Sequence, residues 1–134
     1  MSNILIGVTG SISAYKSASV VSQLVDRKHR IKVIMTENAK KFICPLTLSA
    51  LSHHPVYDET TEFANDGHIH HIELADWANL FVIVPGTYNT IMKILNGTAD
   101  NLLTSTVVPY LALHKKFMVF PAMNTNMLWH LEHR

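Results

Sequence analysis

The residues of this 134-residue chain best suited to chemistry gather in short turns rich in glycine, hydroxyl and amide side chains. The first is Gly7-Val8-Thr9-Gly10-Ser11-Ile12-Ser13. Its glycines, hydroxyls and free backbone N–H groups stand where a helix should begin, and unpaired donors at a helix N-terminus favour a phosphate. A plain strand-to-helix turn, with Gly10 supplying an unusual backbone angle and Ser11 or Ser13 capping the helix, accounts for the same residues equally well. Three more turns have similar composition: Met35-Thr36-Glu37-Asn38-Ala39, Pro85-Gly86-Thr87-Tyr88-Asn89-Thr90 and Pro121-Ala122-Met123-Asn124-Thr125-Asn126. Phosphate, carboxylate and ring-edge groups of a ligand need such partners.

What the turns lack narrows the ligand. The glycines do not fall as G-x-G-x-x-G, and Met35-Thr36 rather than an acid ends the second strand-like run, so a nicotinamide dinucleotide is disfavoured. No Gly-Lys-Ser or Gly-Lys-Thr occurs, which argues against hydrolysis of a nucleoside triphosphate. Nine histidines are present, yet no spacing among them gives a zinc or iron ligand set, and no metal is expected. Cys44, the single cysteine, rules out an intrachain disulfide and is read as a small buried hydrophobe.

These turns need elements to hold them, and the sequence supplies strands and helices in alternation. Asn3 to Val8 (NILIGV) reads as a strand, and Ala14 to Lys28 places Ala14, Ala18, Val21 and Val25 at helical spacing. Arg30 to Met35 (RIKVIM) is the next strand, after which Thr36 can cap a helix through Ala39, Lys40 and Phe42. A helical piece with Leu46, Leu48 and Leu51 follows Pro45, and the polar stretch Tyr57 to Gly67 is read as a loop. Leu80 to Val84 (LFVIV) is apolar on both faces, as an inner parallel strand should be, and a helix from about Tyr88 to Leu95 should follow. Asp100 to Leu113 has helical spacing interrupted at Pro109, and Phe117 to Phe120 (FMVF) is expected as a further buried strand.

Such alternation predicts an α/β, doubly wound parallel sheet in three layers, with ligands beyond the carboxyl ends of its strands. The length suits one domain over residues 1–134. A hydrophobic fraction of 48% with only 16% charged residues makes a homo-oligomer plausible, since some apolar surface must then be covered. The formal net charge is +1 and the basic residues are scattered, so no nucleic-acid footprint is visible. No apolar run reaches membrane-spanning length, and with no apolar leader after Met1 a cytoplasmic location is expected.

Taken together, VTGSISAYK (Val8 to Lys16), MTENAKKFI (Met35 to Ile43), HIELADWANL (His71 to Leu80), PGTYNTIMKILNGTADNLLT (Pro85 to Thr104) and PAMNTNM (Pro121 to Met127) resemble the homo-oligomeric flavin-containing cysteine decarboxylases. The resemblance runs over almost the whole chain and implies a flavodoxin-like domain that binds FMN between subunits, in trimers or assemblies of trimers. It implies oxidation of a cysteine-derived small molecule, with 4'-phosphopantothenoylcysteine as the expected substrate and 4'-phosphopantetheine as its product. Hydride transfer to the flavin would give a thioaldehyde, and loss of carbon dioxide an enethiol. Peptidyl-cysteine decarboxylases, flavin prenyltransferase-like enzymes and non-catalytic regulatory subunits that inhibit phosphatases remain as alternatives.

By position, the resemblance puts His71, in His71-Ile72-Glu73-Leu74-Ala75, at the reacting centre, and Asn124, with Met123 beside it, at the substrate carboxylate. An imidazole can remove or steer a thiol proton near neutral pH, and an amide can hold a carboxylate without adding charge. A solvated histidine and a helix-capping asparagine are the plain alternatives. Thr9, Gly10, Ser11, Ile12, Thr36, Pro85, Thr87, Asn89, Thr90 and Asp100 are the implied FMN contacts. Gly86 and Tyr88 depart from the family's P-A-S-A-N-T loop, where both positions are alanine. The sequence also stops at Arg134, short of the family's substrate clamp and its cysteine. A C-terminally shortened domain is therefore expected, retaining FMN binding and the oxidative half-reaction, with clamp-assisted reduction lost or supplied by another chain.

Overall fold

In the computed structural model, residues 1–62 and 64–122 are described; Met123 and Asn124 lie outside them. Among these residues, four parallel strands form one sheet: β1 (Asn3–Val8), β2 (Arg30–Met35), β3 (Leu80–Gly86) and β4 (Lys116–Pro121), in the order β2-β1-β3-β4. Each connection between them must cross over, and the helices ride on the crossovers.

The two-residue period of the strands sorts their apolar side chains into two cores. Ile4, Ile6 and Val8 of β1, with Ile31, Val33 and Met35 of β2, meet Val21 of α1 (Lys16–Asp26) and Leu48 of α2 (Pro45–Ser52). Leu5, Ile34, Phe81 and Ile83 point the other way. They meet Leu74 of α4 (His70–Trp77) and Leu103, Val107 and Tyr110 of α6 (Leu102–Ala112), while Ile94 of α5 (Tyr88–Asn96) packs at the margin. Phe81 is the hub of that second core, with Tyr110 and Phe117 edge-on to its ring at 5.3 and 5.4 Å. The three-layer, flavodoxin-like α/β architecture expected from the sequence is thus the one observed.

Local readings differ in several places. The helix expected from Ala14 begins as a 3₁₀ turn, Ile12–Tyr15, and α1 ends at Asp26. Thr36 heads a 3₁₀ turn, Asn38–Lys41, rather than a full helix, its hydroxyl accepting the Ala39 N–H at 3.2 Å. Helix α6 passes through Pro109 without a break. Proline there removes one helical hydrogen bond, at a cost of about 3 kcal/mol in an unsupported helix, but six buried side chains of α6 hold it against the sheet. Strand β4 is not fully buried: Phe117 and Val119 pack on the α4–α6 core, while Met118 and Phe120 are 46% and 49% exposed. Neither Met118 nor Phe120 belongs to the core beneath α1 and α2, so among the described residues that face of β4 is left open. Cys44, expected as a buried hydrophobe, is exposed, because it is the extended residue leading into Pro45 at the start of α2.

The largest difference lies at Tyr57 to Gly67, read from sequence as loop. Its first part is a fastened strap. Tyr57 bridges to β2, donating its N–H to Val33 O at 2.8 Å and accepting the Met35 N–H at 2.9 Å. Asp58 caps the single helical turn α3 (Glu59–Glu62), taking the Thr60 N–H at 3.0 Å, and pairs with Lys40 at 2.7 Å. Glu59 then accepts the Leu102 N–H at the head of α6, at 2.7 Å.

Candidate functional site

The four turns singled out in the sequence begin at the carboxyl ends of β1, β2, β3 and β4, so three parallel-strand pairings bring them to one edge of the sheet. The described part of the fourth ends at Ala122. Two of the turns are stitched together beneath the surface. The hydroxyl of Thr9, 1% exposed, donates to Pro85 O at 2.5 Å and accepts the Thr87 N–H at 3.0 Å. Thr9 and Pro85 therefore lie under the site and set the height of the turn after β3. Above them, Thr87 caps α5, its hydroxyl accepting the Thr90 N–H at 3.3 Å.

Gly10 lies on the site's floor and has to be small. A β-carbon there would stand 2.4 Å from the Asn38 amide nitrogen and 2.8 Å from Asn38 Cβ. The absent side chain lets the turn after β2 close against the turn after β1. Gly86, a departure from the family's loop, has a similar cause: a β-carbon would meet Val119 Cγ1 at 2.6 Å, and the pairing of β3 with β4 is irregular between Ile83 and Gly86.

The result is a polar cleft of about 290 Å³ walled by Gly10, Thr36, Asn38, Thr87, Asn89 and Thr90, with Glu37, Glu59, Lys93 and Asn101 completing its rim. A second groove of about 480 Å³ shares Gly10, Thr87 and Asn89 with it and adds Ser11, Ile12, Phe42, Tyr88 and Ala122. Ile12 is 82% exposed there, a large apolar side chain standing free at the end of a turn. Tyr88 is half-buried on the groove wall, where its ring takes up space that the family's alanine would leave open. Chemically, the joined clefts suit a molecule with a hydrogen-bonding, anionic end and a flat, apolar end. Asp100 stays off the wall and is held at 3.0 Å by Lys93. Its neighbour Asn101 forms a reciprocal cap with Thr104 that fixes the start of α6.

His71 is elsewhere. It lines a separate, mostly apolar groove with Ile72, Ala99, Ser105, Val108, Pro109 and Ala112, between α4 and α6. The neighbouring histidines of the His68-Ile69-His70-His71 run have partners of their own. His68 meets Glu73 at 3.0 Å and His70 meets Asp66 at 2.9 Å, beside a further groove where Lys32 sits 4.6 Å over the Trp77 ring. Hydrogen bonding to Glu73 raises the His68 pKa, whereas burial, opposed by Glu73, lowers that of Lys32. His71 Nδ1 lies 2.9 Å from Glu62 Oε1.

Of the residues singled out in the sequence, the structure brings Gly10, Ser11, Ile12, Thr36, Thr87, Asn89 and Thr90 together on the two joined clefts. Sequence reasoning missed Asn38, Glu59 and Lys93 on the cleft and Glu62 beside His71. For Asn38 a signal existed, because it stands in the turn after β2 that was already singled out. Among the described residues no cluster of three His, Cys, Asp or Glu is arranged to hold a metal, and no helix is long and apolar enough to cross a membrane.

Fold and site together define a flavodoxin-like α/β domain with a nucleotide-sized cleft at the carboxyl edge of its sheet. The chain belongs to the Flavoprotein family, whose sequence profile matches residues 1–133. It is 44% identical over 128 residues to the coenzyme A biosynthesis bifunctional protein CoaBC of Bacillus subtilis, covering 96% of this chain and 31% of that protein. To a probable phosphopantothenoylcysteine decarboxylase of Streptococcus mutans it is 43% identical over 124 residues, covering 92% of this chain and 69% of that one. The crystal structure of the FMN-dependent cysteine decarboxylase SpaF superimposes with a TM-score of 0.84 at 30% identity, over 95% of this chain and 71% of that one. The chain spans less than a third of the length of the bifunctional relative it matches.

Proposed function

We propose that this chain is a single FMN-binding domain that carries out, alone or within a longer protein, the oxidative decarboxylation of 4'-phosphopantothenoylcysteine to 4'-phosphopantetheine in coenzyme A biosynthesis. The observation that carries the reading is the meeting of three turns on one cleft, polar at the Thr36, Thr87 and Thr90 end and apolar at Ile12, Phe42 and Tyr88. That gradient fits a phosphate and ribityl chain at one end and a ring system at the other. Bound FMN supplies a two-electron acceptor. The protein's own part is to bind and orient: backbone N–H groups and hydroxyls around Gly10, Ser11 and Thr87 take the anionic end, and Asn89 is in reach of the ring end. Met123 and Asn124 are assigned to the substrate by motif alone. Because His71 lines a different groove, with Ile72 and Val108 exposed around it, we place the complete site where two copies meet in a homo-oligomer, a trimer by family resemblance, in the cytoplasm.

The test is to purify the protein, record its visible spectrum with and without added FMN, weigh the native assembly, and analyse the product formed from 4'-phosphopantothenoylcysteine. A yellow oligomer that releases carbon dioxide supports the reading. A colourless protein that takes up no FMN sinks it.

A further inference from the structure

We propose that Glu62 is the positioning residue for His71, fixing which ring nitrogen carries the proton. This rests on the assignment of His71 to the reacting centre above. The Glu62 carboxylate can only accept, so the 2.9 Å contact requires the proton of the neutral ring to sit on Nδ1 and leaves the lone pair on Nε2. Nε2 is then the nitrogen that takes a thiol proton: the S–H bond breaks, an N–H bond forms, the electron pair stays on sulfur, and Glu62 faces the resulting imidazolium.

Three features of the structure make this more than a chance surface pair. First, both partners are largely covered, the side chains of His71 and Glu62 being 31% and 22% exposed. Second, Glu62 is presented by the one-turn helix α3, which is fastened by Asp58 to Lys40 at 2.7 Å and by Glu59 to the Leu102 N–H at 2.7 Å. A carboxylate on so short and so tied a turn loses little freedom in meeting the ring. Third, the other oxygen, Glu62 Oε2, is buried with no hydrogen-bond partner among the described residues. Leaving a carboxylate oxygen so costs stability, which a residue retained for packing alone would not do. The adjacent histidines do not compete, since His68 and His70 are engaged by Glu73 and Asp66.

The ring can be read directly in the flavin-loaded, full-length chain by long-range proton–nitrogen NMR of labelled histidine, with His71 assigned by its loss in His71→Asn. The wild type should show neutral His71 protonated on Nδ1, a result that needs no variant of Glu62. Glu62→Ala should move the proton toward Nε2 and slow flavin reduction by substrate about 10- to 100-fold with KM little changed, by analogy with the loss of the partner that orients a metal-ligating histidine. Glu62→Gln, which keeps an acceptor oxygen, should recover most of that rate. A wild-type ring protonated on Nε2, a Glu62→Ala variant with unchanged tautomer and rate, or equal losses in Glu62→Ala and Glu62→Gln would each overturn the proposal. Unchanged flavin reduction in His71→Ala would instead refute the role given to His71, while the NMR result would still decide whether Glu62 holds the ring.

Discussion

Replacing Thr9 by valine separates what this residue does for the fold from what it was expected to do for FMN. Valine has almost the same shape, so no cavity opens, and only the hydroxyl is lost. That hydroxyl joins two turns that are 76 residues apart, donating to Pro85 O and accepting the Thr87 N–H, in a place that is 1% exposed. Each bond is worth about 1 kcal/mol net, and a buried carbonyl or N–H left without a partner costs about 1–3 kcal/mol. With Pro85 buried and Thr87 half-covered, Thr9→Val should cost about 2–4 kcal/mol. Thr9→Ser keeps both bonds and loses one methyl group, so about 1 kcal/mol is expected. Urea unfolding of the FMN-free protein measures both, and quenching of flavin fluorescence gives the affinity. FMN should bind at least several-fold more weakly to the valine variant, because Thr87 is no longer pinned at the height the cleft needs. A valine variant within about 0.5 kcal/mol of wild type, or a serine variant less stable than the valine one, would show that the stitch does not hold the turns.

Gly10→Ala should drive Asn38 off the cleft floor, since the new β-carbon would lie 2.4 Å from its amide nitrogen; overpacking of this kind costs about 1–3 kcal/mol, and FMN titration should show a weakened complex that Asn38→Gly partly restores. Asp58→Asn keeps an oxygen that can cap α3 but removes the charge facing Lys40, so it should loosen the strap by about 1 kcal/mol, read by thermal unfolding. The same residue sets an acid limb. Burial alone would push the Asp58 carboxyl up, but hydrogen bonds from Lys40, Thr60 and the Thr61 N–H outweigh it and leave its pKa below the ordinary 3.8. Its stabilising contribution is therefore full above about pH 4 and is lost as pH falls through the lowered value, so the stability difference between wild type and Asp58→Asn should shrink over that interval. Lys40, raised above 10.5 by its hydrogen bond to Asp58, predicts the mirror-image loss only in strong alkali.

The sheet was legible because inner parallel strands write themselves into a sequence. NILIGV and LFVIV are buried on both faces, and the turns after them carry the hydroxyls, glycines and amides that a cleft needs. The positions of the strands and the meeting of Gly10, Thr36, Thr87 and Asn89 at their carboxyl ends followed from that pattern. Other features depend on what lies opposite. FMVF has the same composition as an inner strand, yet Met118 and Phe120 are open, since a strand's burial is decided by what packs over each face and among the described residues neither core includes them. Pro109 looked like a helix break, but six buried contacts outweigh one missing hydrogen bond. Cys44 has no polar demand that would mark it as exposed; only the geometry imposed by Pro45 turns it outward.

The strap at Tyr57 to Glu62 shows most plainly why composition misled. Asp58, Glu59 and Glu62 are acids in a polar run, and a polar run without periodicity reads as loop. Yet each acid closes on a group that the local sequence cannot announce: Lys40, 18 positions earlier, the Leu102 N–H, 43 positions later, and His71, 9 positions later. Glu59 satisfies a donor at the head of α6 and lines the cleft, so the segment trims that cleft with one residue and grips the histidine with another three positions on. Spacing of three on a single helical turn places both carboxylates along one side of α3, which is the geometric reason one short element can serve two grooves. Moving either acid by one position would turn it about 100° around the turn and break one tie while keeping the composition unchanged.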